Sequence, residues 1–256
     1  ALGIADAAIR QEQTVLVFSL EMPRRELSLR LFAQRTGIGV HALRAGTVDD
    51  DHWAALSREV GAAHQQRLFI DDRGGIGLAY VRARAKRVAR KFGLGLIIID
   101  YIGLMKGEDS RQNRNQELGA ISRGLKALAK ELGVPIIACA QLNRAVENRP
   151  DKRPHLHDLR DSGEIEQDAD MVWFIFRGDY YHLLVKPDTP DASSTPDVQE
   201  KYRQWEEKFE GLVGRATLIV AKQRHGSTGN VPLHFQSDIT KFTSPNYKDY
   251  SDYGFE

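Results

Sequence analysis

Three polar residues stand at the ends of apolar runs in this 256-residue chain. Thr14–Leu20 runs into Glu21, Leu94–Ile99 into Asp100, and Val134–Ala140 into Gln141. An acid that closes an apolar strand can hold the water shell of a nucleotide-bound magnesium ion, which is the Walker B pattern. Many buried strands also end in aspartate, so Asp100 taken singly leaves a structural role open. Glu21 could accept the proton of a water that attacks a γ-phosphate. It could equally open the helix that Glu21-Met22-Pro23 leads into. The amide of Gln141 could contact the same phosphate, or cap a strand end.

These groups need a scaffold that brings strand ends together. Strand-like runs occur at Thr14–Leu20, Arg67–Asp71, Leu94–Asp100, Val134–Ala140, Met171–Phe176 and Arg215–Ala221. Several are nearly continuous in Val, Ile, Leu and Phe, as in strands buried on both faces. Between them lie amphipathic segments at Pro23–Arg35, Asp49–Gln65, Leu78–Lys91 and Asn115–Leu132. The alternation predicts an α/β fold, a mostly parallel sheet with helices on both faces. Ligands in such sheets bind at the carboxyl ends of the strands, where Glu21, Asp100 and Gln141 fall.

Two stretches interrupt the alternation. Gly107–Gln116 is polar and without apolar period, and reads as a loop. Lys186–Pro196, rich in Pro, Asp, Ser and Thr, reads as an exposed insertion, followed by a charged surface helix over Val198–Phe209. The aromatic-rich end, Ser244–Glu256, reads as a tail. The expected division is therefore one domain over 1–243, with an insertion near 181–212, and a tail over 244–256.

Composition excludes several classes. Lys+Arg number 36 against 35 Asp+Glu, a net charge of +1, so a uniformly basic nucleic-acid coat is ruled out, though a local basic surface is not. The single cysteine, Cys139, allows no intrachain disulfide and reads as a small buried thiol in a reducing compartment. No apolar run approaches the roughly 20 residues of a membrane span, and no signal peptide is visible. A cytoplasmic location without membrane attachment is expected.

Five segments, in this order, carry a family resemblance: FSLEM at Phe18–Met22, LIIIDYIGLM at Leu96–Met105, ACAQLNRAVENRPDKRP at Ala138–Pro154, LRDSGEIEQDAD at Leu159–Asp170 and AKQRHGSTG at Ala221–Gly229. Together they resemble the motor domain of replicative DNA helicases of the DnaB type, over residues 1 to about 242. The resemblance implies a RecA-like, mostly parallel twisted sheet flanked by helices on both faces. It implies an ATP-hydrolysing helicase, with ATP and Mg2+ as cofactors, that forms a homo-hexamer around single-stranded DNA and works with a primase and a helicase loader.

Residue by residue, the resemblance makes Glu21 the catalytic glutamate, Asp100 the Walker B acid and Gln141 the γ-phosphate sensor. It makes Arg30 an arginine reaching toward the nucleotide. It also makes Lys222 and Arg224 a basic pair that enters the neighbouring subunit's site; without it, this pair reads as a solvated hairpin tip. Arg160, Asp161 and Gly163 match a loop that grips the sugar-phosphate backbone, with Asp161 where the family commonly has Glu. Arg144, Arg149, Lys152 and Arg153 add a basic run that would bind phosphate without reading sequence.

The family's phosphate loop, G-x-x-x-x-G-K-S/T, does not occur in the 256 residues. It precedes, in the family, a helix resembling Ala1–Ile9, so the chain is expected to begin just past it, and the function assigned is that of the parent protein. Two other readings compete: another RecA-like DNA-dependent ATPase, such as a recombinase, and a non-catalytic DNA-binding or assembly module. Other candidates carry less. The basic run Arg82–Lys91 spreads along a helix face and reads as solvated. His155 and His157 lack a third ligand at metal spacing. Gly74-Gly75-Ile76-Gly77 reads as a turn before a helix. Trp205 and the acidic helix of the insertion either meet a neighbouring subunit or cover the surface.

Overall fold

The computed structural model describes residues 1–63, 66–107, 113–191 and 194–245, with the side chains of Arg160, Asp161 and Ser162 outside the description. Chain contacts gather it into two compact units. The first holds Ala1–Arg144, Leu156–Ala169 and Asp238–Lys241; the second holds Ala145–His155, Asp170–Ser237 and Phe242–Glu256.

In the first unit, α1 (Leu2–Arg10) leads to β1 (Val15–Ser19), then α2 (Arg24–Thr36), α3 (Val40–Ala45), α4 (Asp50–Ala63) and β2 (Leu68–Asp71). There follow α5 (Leu78–Phe92), β3 (Leu96–Asp100), α6 (Arg114–Leu132), β4 (Ile136–Ala138) and α7 (Gly163–Asp168). The strands pair in the order β2-β1-β3-β4, all parallel. Period-two alternation divides the core. Leu16, Phe18, Ile97 and Ile99 face Val81, Ala85 and Val88 of α5 and Ile121, Leu125 and Leu128 of α6. Val15, Val17, Leu96 and Ile98 face Ala5 and Ile9 of α1 and Leu27 of α2. Both faces are thus covered, which is why β1 reads as an unbroken apolar run.

The helix after β3 starts earlier than its polar sequence suggests. Asn113 accepts a hydrogen bond from Gln116 N at 2.9 Å, and the Gln116 side chain accepts from Asn113 N, a capping box that nucleates α6 at Arg114. The expected loop over 107–116 is corrected accordingly at its end, while 108–112 lie outside the described residues.

In the second unit, β5 (Met171–Phe176) is followed by α8 (Gly178–Leu183), α9 (Pro196–Glu210), β6 (Arg215–Gln223), β7 (Gly229–Gln236) and β8 (Lys241–Thr243), with strand order β5-β6-β7-β8. Pairing of β5 with β6 and of β6 with β7 is antiparallel. The strand–helix alternation earlier in the chain gives no hint of this. The return from β6 to β7 is made by Arg224–Thr228, too short for a helical crossover, so the strands must run antiparallel.

Helices α8 and α9 occupy the stretch expected to be an insertion. Trp205 Nε1 donates to His182 O at 3.0 Å, and His182 Nε2 lies 2.8 Å from Trp205 O, with the two rings stacked at 5.2 Å. Phe209 stacks on Trp205 at 5.1 Å. Of the two roles open to Trp205, the structure shows it engaged within its own insertion. Of the expected tail, 246–256 lie outside the described residues. Among the described residues, no helix is long and apolar enough to cross a membrane.

Candidate functional site

Parallel pairing sets the ends of β1, β3 and β4 side by side at one edge of the first sheet. Ser19 is in register with Asp100, and Ile99 with Ala138. The chain leaves β1 through Leu20, whose N–H donates to Asp100 O at 2.7 Å, so Glu21 emerges one residue beyond that tie. The Ser19 hydroxyl donates to Met22 O at 2.7 Å, closing the turn that presents Glu21. Glu21 is exposed and precedes α2 by three residues, behind Pro23 at the N-cap position. It is therefore a turn residue at the sheet edge, and the alternative of a helix-opening acid does not apply.

Asp100 closes β3, half-buried, followed by a cis peptide to Tyr101. Cys139 N donates to Ile99 O at 2.9 Å, and Ile102 N donates to Cys139 O at 3.0 Å. The Cys139 thiol is half-buried, next to Asp100 across the register of β3 and β4. Burial first, and then the Asp100 charge, push the thiol above its ordinary range. The bland expectation of a buried core thiol thus misses its position; nothing but the register of β3 against β4 could have revealed it. Helix α1 is joined to the start of β1 by a short turn and packs back along it through Ala5 and Ile9, so its amino end lies toward the edge where β1 and β3 finish. No side chain caps α1. Its first N–H groups and dipole thus add positive potential at this edge.

Gln141 lies three residues beyond β4, exposed. Asn143 N, two residues on, donates to Asp158 O at 3.0 Å, which fixes the course of this segment. Arg30 lies on α2, 3.5 Å from Glu26, which also pairs with Arg44. Its Nε is buried without a hydrogen bond.

Lys222 and Arg224 belong to the second unit. Lys222 is in β6 opposite Val172, and Arg224 just past its end donates its N–H to Asp170 O at 3.0 Å. The Arg224 guanidinium is exposed, 3.8 Å from the Asp170 carboxylate. The side chains of Arg160 and Asp161 lie outside the described residues. Gly163 opens α7 with no atom within 4 Å of where a Cβ would stand and without a left-handed φ. The chain's own packing therefore does not demand a glycine there.

The basic run makes contacts within its own segment. Arg149 donates to Arg153 O at 2.8 Å, Lys152 donates to Glu147 O at 2.6 Å, and Arg153 stacks over Phe176 at 4.9 Å.

The donor set at the first unit's edge fits a magnesium-nucleotide. It offers a half-buried carboxylate oxygen for a hard cation that keeps its waters, a helix amino end for phosphate, and a second carboxylate free of internal ion pairs among the described residues.

Comparison with known proteins places these residues in context. The family model for the DnaB-like helicase C terminal domain matches residues 1–244. The replicative DNA helicase DnaB of Rickettsia bellii (strain RML369-C) is 42% identical over 232 residues, covering 91% of this chain and 46% of the relative. That of Helicobacter pylori (strain ATCC 700392 / 26695) is 38% identical over 246 residues, covering 92% and 50%. The chain thus spans about half the length of the curated relatives it matches. Among solved structures, a DnaB-like replicative helicase described with its interactions with primase superposes at a TM-score of 0.80 with 31% identity, over 96% of this chain and 54% of that one. A second solved structure, described as an ATPase domain, gives the same score and identity over 96% and 79%.

Proposed function

Because this chain belongs to the family of DnaB-like helicase C-terminal domains, we propose that it is the ATP-hydrolysing motor of a replicative helicase that moves along single-stranded DNA and parts the duplex. The motor spans residues 1–243. The observation that carries the reading is the register of Ser19 with Asp100, which sets Glu21 and Asp100 at adjacent strand ends, at the edge toward which the amino end of α1 points.

In this reading Glu21, exposed on its turn, accepts the proton of the water that attacks the γ-phosphate. Asp100 holds the waters of the metal, and magnesium supplies neutralisation of the charge that builds on the phosphoryl oxygens. Gln141 follows the strand next to Asp100 and contacts the γ-phosphate. Arg30 approaches the nucleotide from α2. Lys222 and Arg224 act on the neighbouring subunit's site, where an inserted guanidinium contributes on the order of 10³–10⁵ in rate. A head-to-tail contact of this kind closes into a ring, here a homo-hexamer. The open surroundings of Gly163 suit close approach of a DNA backbone, with Arg160 and Asp161 beside it. A primase and a loader are the expected partners, the first in line with the structural relative described with one.

The test is the ATPase rate of the full-length protein with and without single-stranded DNA, beside Glu21→Gln, followed by strand displacement. DNA-stimulated turnover that the variant lowers by about 10²–10⁴ supports the assignment of the base. Turnover unchanged in Glu21→Gln rejects it.

A further inference from the structure

The helix that follows the segment assigned to DNA is seated at its first turn. Gly163 opens α7, and the next residue, Glu164, lays its side chain over Gly119 of α6. A Cβ on residue 119 would overlap the Glu164 carboxylate and stand 3.1 Å from the Glu164 Cβ, tighter than ordinary contact. Gly119 is buried within α6 and has no left-handed φ. Glycine inside a helix is disfavoured against alanine, so backbone freedom gives no reason for it here, whereas the close approach of Glu164 does. One turn further along α6, on the same face, Arg123 pairs with the Glu164 carboxylate. Beside them Ile165 packs on the core that holds Leu118 and Ile121.

The other end of the segment is fixed too. Asp158 and Leu159 are buried, and Asp158 O accepts from Asn143 N at 3.0 Å. Arg160–Gly163 is thus a short span between two anchors, Leu159 and Glu164, and its place follows theirs. Helix α6 itself is tied to the stretch that leaves β3. Arg114 donates to Gly103 O at 2.6 Å and to Met105 O at 3.2 Å, and Glu117 accepts from Gly107 N. We propose that Gly119 and Arg123 are positioning residues for DNA, seating Glu164 so that Arg160–Gly163 is held where the sugar-phosphate backbone passes. This rests on the role given to Arg160–Gly163 above. The side chains of Arg123 and Glu164 are 58% and 45% exposed, and a pair of that kind adds little to stability, so its contribution is one of placement.

The experiment measures binding of a fluorescent oligothymidylate to the full-length protein across a range of salt, and the DNA concentration that half-maximally stimulates the ATPase. Glu164→Gln decides the sign. It removes a negative charge next to the phosphate-facing segment, so electrostatics alone would tighten binding, whereas loss of the seat weakens it. Kd is expected to rise about 5-fold in Glu164→Gln, in Arg123→Gln and in Gly119→Ala. Turnover at saturating DNA should stay within about threefold of wild type. Arg123→Lys, which keeps the charge, should bind within about twofold of wild type. The salt slope of binding should not change, since no phosphate contact is removed. Gly119→Ala combined with Glu164→Ala should bind as Glu164→Ala does, because the truncated side chain leaves room for the new methyl group.

Tighter binding in Glu164→Gln overturns the proposal. So does a salt slope lowered by about 1 in Arg123→Gln, which marks Arg123 as a phosphate contact in its own right. If Gly119→Ala unfolds, the two glutamine variants, both at half-exposed positions, carry the test. Wild type that binds no oligothymidylate removes the role of Arg160–Gly163 and the proposal with it. Wild type that binds, with variants that bind equally well, overturns the proposal alone.

Discussion

Arg35 is the cation whose loss should cost this fold most. Its side chain is 1% exposed. It lies in α2, donates to Asp6 of α1 at 2.6 Å and to Gln66 at 2.7 Å, and stands 3.6 Å from Glu59 of α4. It thereby fastens α1, whose amino end points toward the edge where β3 finishes, to two other helices. Replacing it by Met removes one partner of a buried pair, which costs about 3–5 kcal/mol. Two features reduce that figure. Asp6 keeps Arg10 at 3.0 Å, and Arg35 Nη2 is buried without an acceptor, a penalty the substitution relieves. A loss of about 3 kcal/mol remains, or about 6–12 °C in Tm for a domain of this size. The cost comes from Asp6, only 14% exposed and left with a single partner. The double variant Arg35→Met/Asp6→Leu, which removes both charges, should therefore recover most of the stability. The assay is denaturant unfolding with hydrogen exchange on α1. A single variant that loses less than about 1 kcal/mol, or a double variant whose loss is the sum of the singles, refutes the reasoning.

Three further outcomes are expected. In mixed oligomers, an equal blend of Glu21→Gln and Arg224→Ala should regain up to about a quarter of the wild-type ATPase, because head-to-tail interfaces then pair an intact base with an intact arginine; no recovery would mean Arg224 acts within its own subunit or not at all. Glu117, held below its ordinary range first by the Gly107 N–H and then by Arg114, contributes stability present above its unfolded value of about 4.3 and lost as pH falls through its lower folded value. The stability gap between wild type and Glu117→Gln should then be constant at neutral pH and close as the carboxyl protonates in acid, and a gap that does not shrink on acidification argues against it. Trp205→Ala should strip hydrogen-exchange protection from α8 and α9 while leaving that of β1 and β3 unchanged; equal loss in both would show that the insertion does not open by itself.

How far the chain is legible from residues alone varies by element. The strands ending at Glu21 and Asp100 were readable because burial on both faces demands unbroken apolar runs, and β5 was readable to the residue. The start of α6 was legible to within one residue, Asn115 against Arg114, while the capping box that sets it became visible only through its reciprocal bonds. β7 escaped because Gly229, Asn230 and Pro232 suppress strand propensity, while its pairing with β6 overrides it.

The identities and order of Glu21, Asp100, Gln141, Lys222 and Arg224 were determined by the sequence itself, since chemistry at a site depends on residue type and motif spacing. Local physics likewise set which segments are helix and which are buried strand. The adjacency of Glu21 and Asp100, the placing of Cys139 beside Asp100, and the Arg35 tie across three helices were decided only in three dimensions. Each depends on strand register or helix packing between residues distant in the chain, and those long-range choices leave no periodic trace in the order of residues.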